Sequence, residues 1–138
     1  MTKLEKLRKA LQKQNLDALL ITNDYNRRYM TGFTGTTGVA IVSLNDAVFI
    51  TDFRYTEQAS EQVKGYRIVE NKGTIMQEIA NQVQLMGIKT LGFEKNNVTF
   101  EMYEIYSKLI SADLVGVSGI VENIRLIKTP EEIKIIKV

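Results

Sequence analysis

Leu4, Leu7 and Leu11 recur at helical spacing among Lys3, Lys6, Arg8, Lys9 and Lys13, which predicts an opening amphipathic helix that stops near Asn15. Ala18, Leu19, Leu20 and Ile21 then form an unbroken apolar run bounded by Asp17 and Thr22, the pattern of a strand buried on both faces. Residues 22–38 are polar and Gly-rich and read as a loop. Val39 to Leu44 and Ala47 to Thr51 are β-type runs separated by Asn45 and Asp46, which tolerate positive φ, so they predict a hairpin.

Beyond the hairpin the period changes repeatedly. Tyr55, Ala59 and Val63 fall four apart within a helix over 54–64, with Gly65 as a left-handed C-terminal cap. Tyr66 to Val69 reads as a strand. Thr74 and Gln77 match a capping box for a helix through Met86, with Ile75, Met76, Ile79, Val83 and Met86 as its apolar stripe and Gly87 at its end. Ile88 to Glu94 is the next strand, Thr99 to Ile110 a helix with Met102, Ile105, Tyr106 and Leu109 inward, and Leu114 to Val117 the last strand. Alternation of strands and helices after a hairpin predicts an α/β fold of three layers, α/β/α, around a mixed sheet. Thr129, Pro130 and Glu132 mark another helix start. A helix running only from Pro130 to Val138 is marginal alone, so the chain is expected to stop inside an element.

A length of 138 residues fits one domain. Composition mainly removes chemistries. The chain has no Cys and no His, so disulfides, the usual zinc sites and Ser-His or Cys-His nucleophile pairs are all excluded within it. The net charge of +2 is spread, and the basic residues between Lys3 and Lys13 read as the solvent face of the first helix, which argues against nucleic acid as a partner. No apolar run approaches the roughly 20 residues of a membrane span, and charges interrupt the N-terminus before a signal peptide could form. A cytoplasmic location is the expectation.

Three segments could carry chemistry. The stretch Gly32 to Gly38 invites an anion-binding reading, but it leads into a strand rather than a helix and lacks a P-loop lysine, so a tight structural loop is favoured. Asp52, Phe53, Arg54 and Tyr55 sit at a strand-to-helix junction. There Asp52 could cap the helix and Arg54 pair with a nearby carboxylate, or Arg54 could project toward a substrate carboxylate; spacing favours capping. Asp24, Asp46, Asp52, Glu94 and Asp113 lie near strand ends, but none shows metal-ligand spacing. Tyr25, Tyr29 and Phe33 around Arg27 and Arg28 read as loop and core packing before they read as a recognition surface. The residues alone describe an α/β domain without a visible active site.

Asn26, Arg27, Arg28, Tyr29, Met30, Thr31, Gly32 and Phe33, continuing to Gly35 and Gly38, resemble the N-terminal pattern of the creatinase and prolidase family. Thr51, Asp52, Phe53, Arg54 and Tyr55 resemble its Thr-Asp-Gly-Arg-Tyr segment, with Phe53 in place of the commoner Gly. Residues from Arg125 through Lys128, Thr129, Pro130, Glu131 and Glu132 to Ile133 resemble the linker that opens the family's catalytic half.

The resemblance implies a creatinase/prolidase N-terminal domain over 1–124, with 125–138 as linker and start of a pita-bread catalytic domain lying outside this sequence. It implies a parent enzyme hydrolysing Xaa-Pro peptides, whose catalytic half holds two divalent ions (Mn, Co or Zn) through two Asp, one His and two Glu. This chain carries no cofactor in that picture. It helps form a homodimer and lends residues to the rim of the substrate site, and the two motif matches make Tyr29, Phe33, Arg54 and Tyr55 the rim candidates. Two other readings stand beside this one: a free-standing module of the same fold that binds a peptide or small ligand, and a phosphate-binding enzyme using the Gly32 to Gly38 loop.

Overall fold

The computed structural model describes residues 2–126. In chain order the elements are α1 (Lys3–Lys13), β1 (Ala18–Ile21), α2 (Asp24–Thr31), β2 (Val39–Ser43), β3 (Ala47–Thr51), α3 (Thr56–Gln62), β4 (Arg67–Glu70), α4 (Ile75–Leu85), β5 (Thr90–Glu94), α5 (Phe100–Leu109), β6 (Asp113–Val117) and α6 (Ile120–Leu126). The strands make one six-stranded sheet in the order β4-β3-β2-β1-β5-β6. β2 runs antiparallel to both β1 and β3, whereas β3–β4, β1–β5 and β5–β6 pair in parallel. The sheet is therefore mixed, as expected.

Side-chain alternation divides the sheet between two cores. Leu19, Ile21, Ala40, Val42, Ala47 and Phe49 face one side, where Leu7 and Leu11 of α1, Met30 of α2, Ala59 of α3 and Ile120, Val121 and Ile124 of α6 close over them. Ala18, Leu20, Val39, Ile41, Val48, Ile50 and Leu91 face the other, against Ile79, Ala80 and Val83 of α4 and Tyr106 of α5. Every residue of β1, β2 and β3 is buried, which explains why their sequences read as continuous apolar runs. Three layers result.

Local chemistry sets the ends. Asn15 adopts φ 57° as α1 stops, and Gly65 and Gly87 hold φ of 86° and 68° after α3 and α4. Thr74 Oγ1 accepts from Gln77 N at 3.1 Å, but Gln77 turns its amide to Asn81 rather than back to the cap, so the box is half formed. The hairpin differs too: neither Asn45 nor Asp46 has positive φ, and the turn is closed by Ser43 N donating to Asp46 O and by Asp46 N donating to Ser43 Oγ, each at 2.9 Å.

Three further expectations are corrected. The stretch 22–38 contains α2, which is nucleated by Asn23 Oδ1 accepting from Asn26 N at 3.0 Å and ended by Gly32 at φ 80°. Leu109 is exposed, while Tyr106 and Ile110 fill the position beneath α5. The basic face of α1 is not wholly solvated, because Arg8 donates to Ser43 O at 2.9 Å and Asp46 O at 3.2 Å, fastening the helix to the hairpin. The last strand is followed by α6, an element that the apolar pattern did not predict. The helix start at Thr129, Pro130 and Glu132 lies outside the described residues. Among those described, no helix is long and apolar enough to cross a membrane.

Candidate functional site

The Gly32 to Gly38 loop is organised by a cation beneath it. Arg27, on α2, is 5% exposed and donates through Nη1 to Gly38 O at 3.0 Å and through Nη2 to Gly35 O at 2.8 Å. Thr51 Oγ1 donates to Thr37 O at 2.6 Å from the end of β3. The groups that converge on Arg27 and Thr51 are carbonyl oxygens, so the loop cradles a guanidinium rather than an anion. Glycine is needed because a Cβ on Gly38 would lie 2.5 Å from Cζ of Phe49, and one on Gly35 would strike the Phe33 ring. The structural reading of this loop is the one its geometry supports.

Phe33, Tyr55 and Arg54 come together beside that loop. The Phe33 ring is fully buried, 4.7 Å from Phe49 between centroids and edge-on to Tyr55 at 6.0 Å. Tyr55 is half-buried, and its hydroxyl meets Thr36 Oγ1 at 2.9 Å, pinning the junction after β3 to the loop before β2. The Arg54 guanidinium is exposed, 5.4 Å from the Tyr55 ring centroid, and donates to Asp52 through Nη2 at 2.8 Å and Nε at 3.2 Å. Asp52 does not cap α3, as spacing suggested: its Oδ1 accepts from Arg54 N at 2.9 Å, and Tyr55 at the N-cap makes no side-chain cap bond. The Arg54 side chain holds the Asp52 carboxyl below its ordinary range. Phe53 is 75% exposed next to this pair. The result is a surface with a guanidinium, a phenol and an apolar ring over a rigid aromatic base.

Tyr29 is placed differently. It is half-buried, its ring lies 4.2 Å from the Lys3 ammonium, and its carbonyl accepts from Lys3 at 2.9 Å. Phe33 lends support from inside the core rather than a surface of its own.

A second polar cluster went unread in the sequence beyond the note that Glu94 lies near a strand end. Glu94, the last residue of β5, is 8% exposed. Its Oε1 accepts from Thr22 N at 2.7 Å and Asn23 N at 2.9 Å, and its Oε2 accepts from Asn26 Nδ2 at 2.6 Å. Asn26 Oδ1 in turn accepts from Arg125 Nη1 at 3.1 Å, joining α2 to α6. Burial pushes the Glu94 carboxyl above its ordinary value of 4.5, with Glu122 adding to the rise and the three donors opposing it. The available signal was Asn23 and Asn26 directly after one buried strand, with Glu94 ending its parallel neighbour.

Among the described residues no three His, Cys, Asp or Glu side chains gather as a metal site requires. With no His in the sequence, the ligand set of two Asp, one His and two Glu does not fit this chain.

Comparison with known proteins places these features in a family. The Creatinase/Prolidase N-terminal domain family matches residues 3–127. An uncharacterised peptidase of Bacillus subtilis, YqhT, is 54% identical over 136 residues, covering 98% of this chain and 38% of its own length. The structure of an Xaa-Pro dipeptidase from Bacillus anthracis superposes with a TM-score of 0.91 at 50% identity, over 96% of this chain and 38% of that one. The N-terminal domain of the cytoplasmic peptidase PepQ from Mycobacterium tuberculosis superposes with a TM-score of 0.82 at 31% identity, over 89% of this chain and 98% of that one. The chain thus spans 38% of the longer Bacillus relatives. On sequence and on fold it belongs to the creatinase/prolidase N-terminal domain family.

Proposed function

We propose that this chain is the non-catalytic N-terminal domain of a cytoplasmic Xaa-Pro peptidase, acting in dimer formation and at the rim of the substrate site. The observation that carries the proposal is the family match over residues 3–127 in a chain with neither His nor Cys. Hydrolysis of the Xaa-Pro bond then belongs to the remainder of the parent, where two divalent ions (Mn, Co or Zn) would activate water. Residues 125–138 would form the link to that half.

Of the rim candidates, Arg54 and Tyr55 offer the chemistry. One edge of the Arg54 guanidinium, Nε and Nη2, faces Asp52, and Nη1 makes no bond within the described residues, leaving a donor for a peptide carboxylate. Tyr55 presents a phenol locked by Thr36, and Phe33 and Tyr29 contribute by bracing the loop and α2. The test is Arg54→Ala in the full-length parent. The expected outcome is a fall of about tenfold in kcat/KM for Xaa-Pro dipeptides, about 1.4 kcal/mol of transition-state stabilisation. An unchanged kcat/KM removes Arg54 from the rim.

A further inference from the structure

The Glu94 cluster has a feature that hydrogen-bond counting makes sharp. Asn26 stands between two partners of opposite demand, the Glu94 carboxylate and the Arg125 guanidinium, which can only donate. An ionised carboxylate only accepts, so it fixes the amide with Nδ2 toward Glu94 and Oδ1 toward Arg125. Both bonds then form, at 2.6 Å and 3.1 Å.

A proton on Glu94 reverses this. It cannot sit comfortably on Oε1, which already faces the donors Thr22 N and Asn23 N at 2.7 Å and 2.9 Å. It must therefore sit on Oε2, making that atom a donor toward Asn26. Directed along the short 2.6 Å line to Asn26, that proton is accepted only when the amide turns over, which brings Nδ2 against Arg125 Nη1, donor to donor. The Asn26–Arg125 hydrogen bond between α2 and α6 is lost, while their apolar packing remains.

We propose that Glu94 is a proton-operated switch: ionised, it orients the Asn26 amide so that Arg125 is held; protonated, it turns the amide and releases Arg125. The charged surroundings are few. Glu122 of α6 is the other charged residue lining the small cavity beside Glu94, and Arg125 of α6 reaches it through Asn26. On α2, Asp24 and Arg27 pair with each other at 3.3 Å and Arg28 is exposed. From the 95–97 turn, Lys95 is exposed, and β6 reaches the cavity with the uncharged Val117. Burial of Glu94 and repulsion from Glu122 both favour taking up the proton early as pH falls.

The switch stands on the geometry alone; its consequence for the parent, a proton-dependent hold on the helix before the linker, rests on the peptidase reading. The test is NMR on the 138-residue chain from about pH 8 to about pH 4, following the Glu94 carboxyl carbon, the Asn26 side-chain amide and the Arg125 guanidinium. All three are expected to move with one midpoint above 4.5, the ordinary value for Glu. Glu94→Gln, whose amide offers a permanent donor, should hold the Asn26 resonances at their acid positions at every pH. Arg125→Ala, an exposed change that spares the core, should raise the Glu94 midpoint because the ionised state loses the bond it gained. An Asn26 amide that does not follow Glu94, or an unchanged midpoint in Arg125→Ala, overturns the proposal. Neither result bears on Xaa-Pro hydrolysis, so failure here is separable from failure of the peptidase reading.

Discussion

Arg27 does at residue scale what no single backbone hydrogen bond could, tying α2 to both ends of the Gly35 to Gly38 segment. Its contact with Asp24 adds little, because that carboxylate is 79% exposed. Arg27→Ala leaves two inward carbonyls without their charged donor, and urea unfolding should show a loss of about 3 kcal/mol. A loss near zero would mean that water replaces the guanidinium. The sequence put Arg27 among Tyr25, Tyr29 and Phe33 as loop and core packing, which holds for Arg27 and Phe33 but not for Tyr25, which is 74% exposed. The partners of Arg27 could not be read, since they are backbone atoms whose direction depends on how the Gly-rich segment folds. Glu94 was hidden for a similar reason: its donors, Thr22, Asn23 and Asn26, lie far away in sequence and are brought beside it by the parallel pairing of β1 with β5. Arg54 and Tyr55, by contrast, were picked out by their motif, and their rim role is the proposal that Arg54→Ala tests.

At the scale of elements, apolar runs located every strand: β1, β2 and β3 are buried throughout, and the edge strands β4 and β6 keep apolar residues among exposed ones. α2 escaped because its face is polar even where buried: Asn26, Arg27 and Thr31 lie inward beside Met30. Asn23 as cap and Gly32 as terminator were the signals that hydrophobic periodicity overlooked. The loop that follows depends on packing more than on sequence pattern. Gly38→Ala drives a methyl into the Phe49 ring, which is itself fully buried against Phe33. An expected destabilisation of about 2 kcal/mol, read by chemical denaturation with Tyr55 near-ultraviolet signals as a local probe, follows from overpacking a dense core. Wild-type stability in Gly38→Ala would show that the loop yields without cost.

For the whole molecule, one mixed sheet with helices on both faces carries the proposed rim and the Glu94 cluster in separate places. The proposed rim lies where the β3 end meets the Gly32 to Gly38 loop, and the Glu94 relay runs toward α6. The chain fits the longer Bacillus relatives over 38% of their length, and it has no His for the proposed metal site. The most direct test is Mn-supported hydrolysis of an Xaa-Pro dipeptide, measured on the full-length parent and on the 138-residue chain side by side. Turnover by the parent with none by the chain is the predicted result; turnover by the chain itself, or an inert parent with Mn, Co and Zn alike, would contradict it.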